Sequence, residues 1–166
     1  MEYERVAFIS DTRGRFVMTQ NLVDMLHDYG VGTVVHLGDL DCPYVAELFS
    51  DFDFRAVFGN HDRPRDEIQN AVSQNGEHLG NESMLSFSGN QFFVFHGQNT
   101  DRAENVANYP NGIQYVVHGH QDEALRERYG NGEVLVPGVE SAWVYDGQHD
   151  KFAWATLNEA RAWDSA

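Results

Sequence analysis

The chain has 166 residues, enough for one domain, and its 42% hydrophobic content with 11 Phe, 7 Tyr and 3 Trp argues against a disordered polypeptide. A formal net charge of −15 excludes a broad electrostatic face for DNA or RNA, because such a surface repels phosphates. No apolar run approaches the roughly 18 residues of a membrane span, the acidic start Met1-Glu2-Tyr3-Glu4-Arg5 is unlike a signal peptide, and the lone Cys42 excludes an intramolecular disulfide and a cysteine zinc site.

A single domain over residues 1–166 in the cytoplasm is therefore expected. Of the 11 basic side chains only Lys151 is a lysine. Acidity alone does not remove lysine, so the balance points to a halophilic protein whose carboxylates repel one another until salt screens them. Molar KCl is accordingly expected to raise the melting temperature. A melting temperature unchanged from dilute buffer to molar KCl would leave an acidic protein and nothing more.

In chain order, Arg5 to Ser10 is a short apolar run that reads as a buried strand ending at Asp11. Leu22, Met25, Leu26 and Tyr29 recur with helical spacing before Gly30. Thr33 to Leu37 is a second strand, ending in Gly38-Asp39, and Tyr44 to Phe49 reads as a short helix. Phe54 to Phe58 is a third strand, ending in Gly59-Asn60-His61-Asp62, and Pro64 to Gln74 is a helix stopped by Gly76. This alternation predicts parallel strands with right-handed crossovers, whose carboxyl ends gather ligands.

The second half reads mainly as strands: Met84 to Phe87, Gln91 to Phe95, Gln114 to Val117, Ala124 to Tyr129, Glu133 to Val136, Ala142 to Tyr145 and Phe152 to Leu157. Gly89-Asn90, Gly130-Asn131-Gly132 and Asp146-Gly147 supply turns. One helix interrupts, with Asp101 and Glu104 as its expected capping box. Two strands end in imidazoles, at His96 and at His118-Gly119-His120.

Carboxylates, one amide and imidazoles at strand ends make a mixed oxygen and nitrogen donor set, which suits Mn, Fe, Zn, Co or Ni better than Ca or Mg. Asp11, Asp39, Asn60, His96 and His120 are the candidate ligands, and His61 beside Asp62 is a candidate general acid or phosphate donor. Taken singly, Asp11, Asp39 and Asn60 could be caps or turn formers. His36 could be a core histidine with a hydrogen-bond partner, His118 is expected to be structural, and His27, His78 and His149 read as surface residues.

The series Ser10-Asp11-Thr12, Gly38-Asp39, Gly59-Asn60-His61-Asp62, His96-Gly97 and Gly119-His120 resembles the calcineurin-like metallophosphoesterase superfamily, in family order over about residues 5 to 157. The likeness is to its small bacterial and archaeal phosphodiesterase branch, which includes the retromer subunit of the same fold. It implies an α/β fold, a two-sheet β-sandwich flanked by helices. It also implies a hydrolase of phosphate monoesters or diesters that uses a metal-activated hydroxide from one or two divalent transition-metal ions, manganese first among them. Carried over by position, Asp39 would bridge two ions, Asn60, His96 and His120 would complete the second, Asp11 would hold the first, and His61 would be the catalytic histidine.

Two departures fall on the first ion. The family's Asp-x-His is Asp11-Thr12-Arg13 here, and its Gly-His-x-His is Gly119-His120-Gln121-Asp122. Asp122 could serve as a substitute oxygen ligand, whereas Arg13 cannot ligate a cation while charged and could instead sit beside Asp11, partly neutralise it and contact a phosphate, or merely pair with Asp41 or Asp122. A second reading follows: a weak or inactive phosphoesterase-fold scaffold with a protein partner. Under the first reading the partner is a small phosphate-ester substrate; homo-oligomers are compatible with either.

Overall fold

The computed structural model describes residues 4–157. Among the described residues, eleven strands and four α-helices run in the order β1 (Arg5–Ile9), α1 (Phe16–Asp28), β2 (Thr33–His36), α2 (Pro43–Ala46), β3 (Asp53–Ala56), α3 (Arg65–Asn75), β4 (Gly76–His78), β5 (Glu82–Phe87), β6 (Asn90–Phe95), α4 (Thr100–Asn108), β7 (Tyr115–His118), β8 (Leu125–Tyr129), β9 (Gly132–Val136), β10 (Ser141–Asp146) and β11 (Lys151–Thr156). A short 3-10 turn, Glu47–Phe49, extends α2.

These strands form two sheets. The first has the order β11-β10-β1-β2-β3-β4 and the second β5-β6-β7-β9-β8. β1, β2 and β3 are mutually parallel, as the alternating first half predicts, β4 adds parallel to β3, and β10 closes antiparallel on β1. In the second sheet β7 lies parallel between β6 and β9.

Strand alternation sorts the core into three layers. Ala7 and Ile9 pack with Val34, Phe54 and the apolar sides of α1 and α3. Val6 and Phe8, one residue out of phase, pack with Phe87, Phe92, Tyr115 and Phe152 between the sheets. Phe93, Phe95 and Val116 pack against Ala103 and Ala107 of α4. Both faces of β1 and β2 are thus buried, which is why those segments read as continuous apolar runs rather than alternating ones. The α/β two-sheet sandwich flanked by helices is the fold expected from the sequence.

Several local expectations change. The N-cap of α4 is Asn99, whose side chain accepts from Arg102 N at 3.3 Å, not Asp101. The β5–β6 turn falls on Ser88-Gly89, both with positive φ, not on Gly89-Asn90. β4 was not expected, because Gly76 was read only as a helix stop; its extended backbone instead lies so close to Phe54 that a Cβ there would collide with the Phe54 carbonyl. His78 is half-buried against the Phe58 ring, with centroids 3.9 Å apart, rather than a surface residue. His36 is a core histidine with partners: Nε2 lies 2.9 Å from Thr12 Oγ1, Nδ1 accepts from Gly38 N, and burial holds its pKa down at about 4.

Candidate metal centre

The carboxyl ends of β1, β2 and β3 and those of β6 and β7 meet along one edge of the sandwich. The chain leaves each strand through a tight reversal. Asp11, Asp39 and His120 take left-handed backbone conformations with φ of 57°, 59° and 71°. Non-glycine residues rarely hold that region, and where surrounding structure imposes it the site is often functional. The glycines beside them make room. A Cβ at Gly59 would collide with Asp39, and a Cβ at Gly119 would collide with the Ser10 side chain.

Asp11 and Asp39 are fully buried carboxylates, each with one satisfied and one unsatisfied oxygen. Asp11 Oδ2 accepts from the Ser10 hydroxyl and from His120 N. Asp39 Oδ1 accepts from His61 N at 2.9 Å. Asp11 Oδ1 and Asp39 Oδ2 receive no hydrogen bond, although leaving a buried charged acceptor without a donor is costly. Both lie in one cluster with His96, whose donor atoms fall within 4.8 Å of one another. His96 Nε2 is 3.4 Å from Asp39 Oδ2.

The tautomer of His96 follows from its partners. Nδ1 lies 2.8 Å from the Leu37 carbonyl, which can only accept, so Nδ1 carries the proton and Nε2 presents its lone pair to the carboxylates. His120 Nδ1 sits 3.1 Å from the same Nε2. The electrostatics agree with a cation-seeking site. Burial pushes the Asp11 carboxyl up. Burial opposes ionisation of Asp39 too, but the adjacent His96 ring and the His61 amide outweigh it and hold that carboxyl at about 2. Burial lowers His96, yet Asp39 outweighs burial and raises it. Two buried carboxylate oxygens without hydrogen-bond donors, beside an imidazole nitrogen, form a donor set that fits a divalent transition metal.

The other expected residues fall in different places. Asn60 and His61 are exposed on the rim, immediately after Gly59. Asp62 is 1% exposed and is a structural acceptor: Oδ2 takes Asp39 N at 3.0 Å and Gly59 N at 2.7 Å, and Oδ1 takes Asp41 N at 2.8 Å. Expected among the catalytic groups, Asp62 instead ties the β2 and β3 loops together. Asp122 is exposed and lines a cleft with Arg13, Arg15 and Val139, outside the Asp11–Asp39–His96 cluster. The Arg13 guanidinium is 3.7 Å from Asp11 Oδ1, so its carboxylate partner is Asp11 and not Asp41 or Asp122. His118 is buried with Nδ1 2.8 Å from the Gly119 carbonyl, the structural place expected for it.

Sequence reasoning gave Asp41 no role of its own. It is half-buried beside Asp39 and Asp62, and burial together with their charges pushes its carboxyl up to about 6. Arg15 was also missed. Its spacing from Arg13 across Gly14, at a loop that leaves a ligand-bearing strand, was the available signal.

A two-sheet α/β sandwich with carboxylates and imidazoles gathered at its strand ends defines the class of metal-dependent phosphoesterases. The chain belongs to the calcineurin-like phosphoesterase superfamily, whose domain matches residues 5–160. It is 24% identical over 138 residues to the phosphodiesterase MJ0936 of Methanocaldococcus jannaschii, covering 81% of this chain and 82% of that one. Its fold superposes on an archaeal phosphodiesterase with a TM-score of 0.82 at 20% identity, covering 90% of this chain and 98% of that one. The phosphoesterase YfcE of E. coli gives 0.72 at 19%, with 96% and 98% covered. Vps29 of Entamoeba histolytica, in complex with zinc, gives 0.70 at 13%, with 96% and 97% covered.

Proposed function

We propose that this chain hydrolyses phosphate esters with a divalent transition metal, manganese first, held by Asp39, Asn60, His96 and His120, with Asp11 facing the same space. The observation that carries this reading is the pair of buried, donorless carboxylate oxygens of Asp11 and Asp39 beside the Nε2 lone pair of His96. A bound divalent ion supplies a nucleophile at neutral pH and neutralises phosphoryl charge.

The remaining roles belong to the chain. His61, exposed beside the cluster, donates a proton to the leaving oxygen or a hydrogen bond to the phosphate. Arg13 weakens the grip of Asp11 on a second ion and contacts phosphoryl oxygens instead. Asp62 is a positioning residue that holds the Asp39 and Gly59 amides. Asp122 is left to the cleft.

The homologous phosphodiesterase supports hydrolysis, while the Vps29 neighbour keeps a partner-binding scaffold as the second reading. One experiment separates them: metal content per chain, measured together with hydrolysis of an aryl phosphodiester in Mn²⁺. Retention of about one tight ion, hydrolysis abolished by chelation and hydrolysis restored by Mn²⁺ are the results expected of the enzyme. Hydrolysis that persists after thorough chelation, or metal binding without any hydrolysis, would overturn the assignment.

A further inference from the structure

Arg13 and Arg15 line one cleft of about 450 Å³ beside the carboxylate cluster. The loop that carries them is pinned to the neighbouring strand end, with Arg13 N bonded to the Asp39 carbonyl and Gly14 N to the Leu40 carbonyl, each at 2.9 Å. The Arg15 side chain is also fixed. Its Nε donates to the Thr12 carbonyl at 3.3 Å and one terminal nitrogen to the Asp11 carbonyl at 3.2 Å, while the other terminal nitrogen lies 3.7 Å from Glu140. The Arg13 guanidinium makes no hydrogen bond among the described residues, and its carboxylate neighbour is at 3.7 Å.

The Arg15 guanidinium is thus held in place, and the Arg13 guanidinium stands in the same cleft on an anchored backbone with its donors free, on a chain of net charge −15. The overall field of such a protein repels anions, so an anionic ligand needs fixed local cations to dwell there. Pre-organised guanidinium forks match phosphate and carboxylate oxygens. The cleft has the volume of a small-molecule site rather than of one phosphoryl group. Asp122 lines it too, but is exposed, so water and salt screen its charge.

We propose that Arg15, with Arg13, forms a subsite for a second anionic group, so that the preferred substrates are phosphate esters whose alcohol portion carries a further phosphate or carboxylate. This rests on the phosphoesterase reading above: Arg13 serves the reacting phosphoryl group and Arg15 receives the second anion.

The test is calorimetric and needs no turnover. Hydrolysis-resistant phosphonate analogues of propyl phosphate, of propanediol bisphosphate and of a three-carbon phosphate ester with a terminal carboxylate, each named below by the ester it replaces, are titrated into the Mn²⁺-loaded protein at fixed salt. Both doubly anionic ligands are expected to bind about tenfold or more tighter than propyl phosphate, since charge-assisted bidentate contacts are the strong ones. A gain for only one of them identifies which anion the subsite takes. Arg15→Gln should remove the gain and leave propyl phosphate affinity within about twofold, with Arg15→Lys intermediate because a point charge lacks the fork.

Glu140→Gln keeps the Arg15 side chain and its main-chain bonds, and should strengthen the gain by about twofold by removing a competing carboxylate. It stands in if Arg15→Gln lowers the melting temperature. Propyl phosphate binding without any gain for either doubly anionic ligand overturns the subsite alone. A gain undiminished in Arg15→Gln and unchanged in Glu140→Gln does the same. No binding of any ligand overturns the phosphoesterase reading along with it.

Discussion

Asp39→Asn is expected to abolish metal-dependent hydrolysis, lowering the rate by about a thousandfold or more and releasing the bound ion. Asp39 is fully buried, with Oδ1 fixed by the His61 amide and Oδ2 aimed without a donor at His96 Nε2. An amide there keeps the shape and removes the charge. It presents either a neutral oxygen or a pair of N–H donors to a cation, and several kcal/mol of charge stabilisation on the phosphoryl group go with the ion. The loss should not be a loss of fold. In the metal-free protein the Asp39 charge raises the carboxyls of Asp11 and Asp41 but is itself stabilised by His96 and the His61 amide, so its removal relieves one repulsion, forfeits those contacts and leaves a folded chain of modestly lower stability. Metal content, rate and melting temperature measured on one preparation check this. A thousandfold loss that coincides with unfolding would mean that Asp39 is structural, and full activity with metal retained would refute its role as a ligand.

His61→Ala is expected to lower the rate by roughly 10²–10⁴ while the protein keeps its metal, the range for a single positioned acid or base. The expectation rests on a division within one residue. The His61 backbone N–H anchors Asp39 Oδ1, and alanine retains it. The imidazole is exposed on the rim, so its removal leaves the buried cluster intact. Single-turnover kinetics with metal analysis give the answer. If bound metal falls in proportion to the rate, His61 is a ligand and the leaving-group role passes elsewhere.

Both predictions start from residues legible in the sequence. Apolar runs ending in Asp11, Gly38-Asp39, Gly59-Asn60-His61-Asp62, His96 and Gly119-His120 marked the strand ends, because strand burial and tight reversals are local demands written in residue type and spacing. The three parallel strands of the first half needed no more than that, whereas the preference for His120 over His118 came from the family resemblance of Gly119-His120. The alternation of Val6 and Phe8 against Ala7 and Ile9 even holds the division between two core layers, although a buried strand hides it by being apolar on both sides.

The rest was decided by contacts between residues far apart in the chain. Asp62 looked like a partner for His61 until folding brought its carboxylate to three amides of two loops. Asp122 sits two residues from a ligand candidate, yet the chain carries it to the open cleft and away from the buried cluster. Arg13 found Asp11, and Arg15 came to rest against the main chain of Asp11 and Thr12 beside it.

By itself the sequence determined which residue types stand at which strand ends, and hence a parallel first half and a candidate donor set, with the two-sheet sandwich implied by the resemblance those residues carry. Only the tertiary structure decided which oxygens lack donors, which imidazole nitrogen carries the proton and which cations share the cleft. The physical reason is that those properties belong to groups brought together and desolvated across long loops. The His120 amide that bonds one Asp11 oxygen, while the other is left without a donor, lies 109 residues away along the chain.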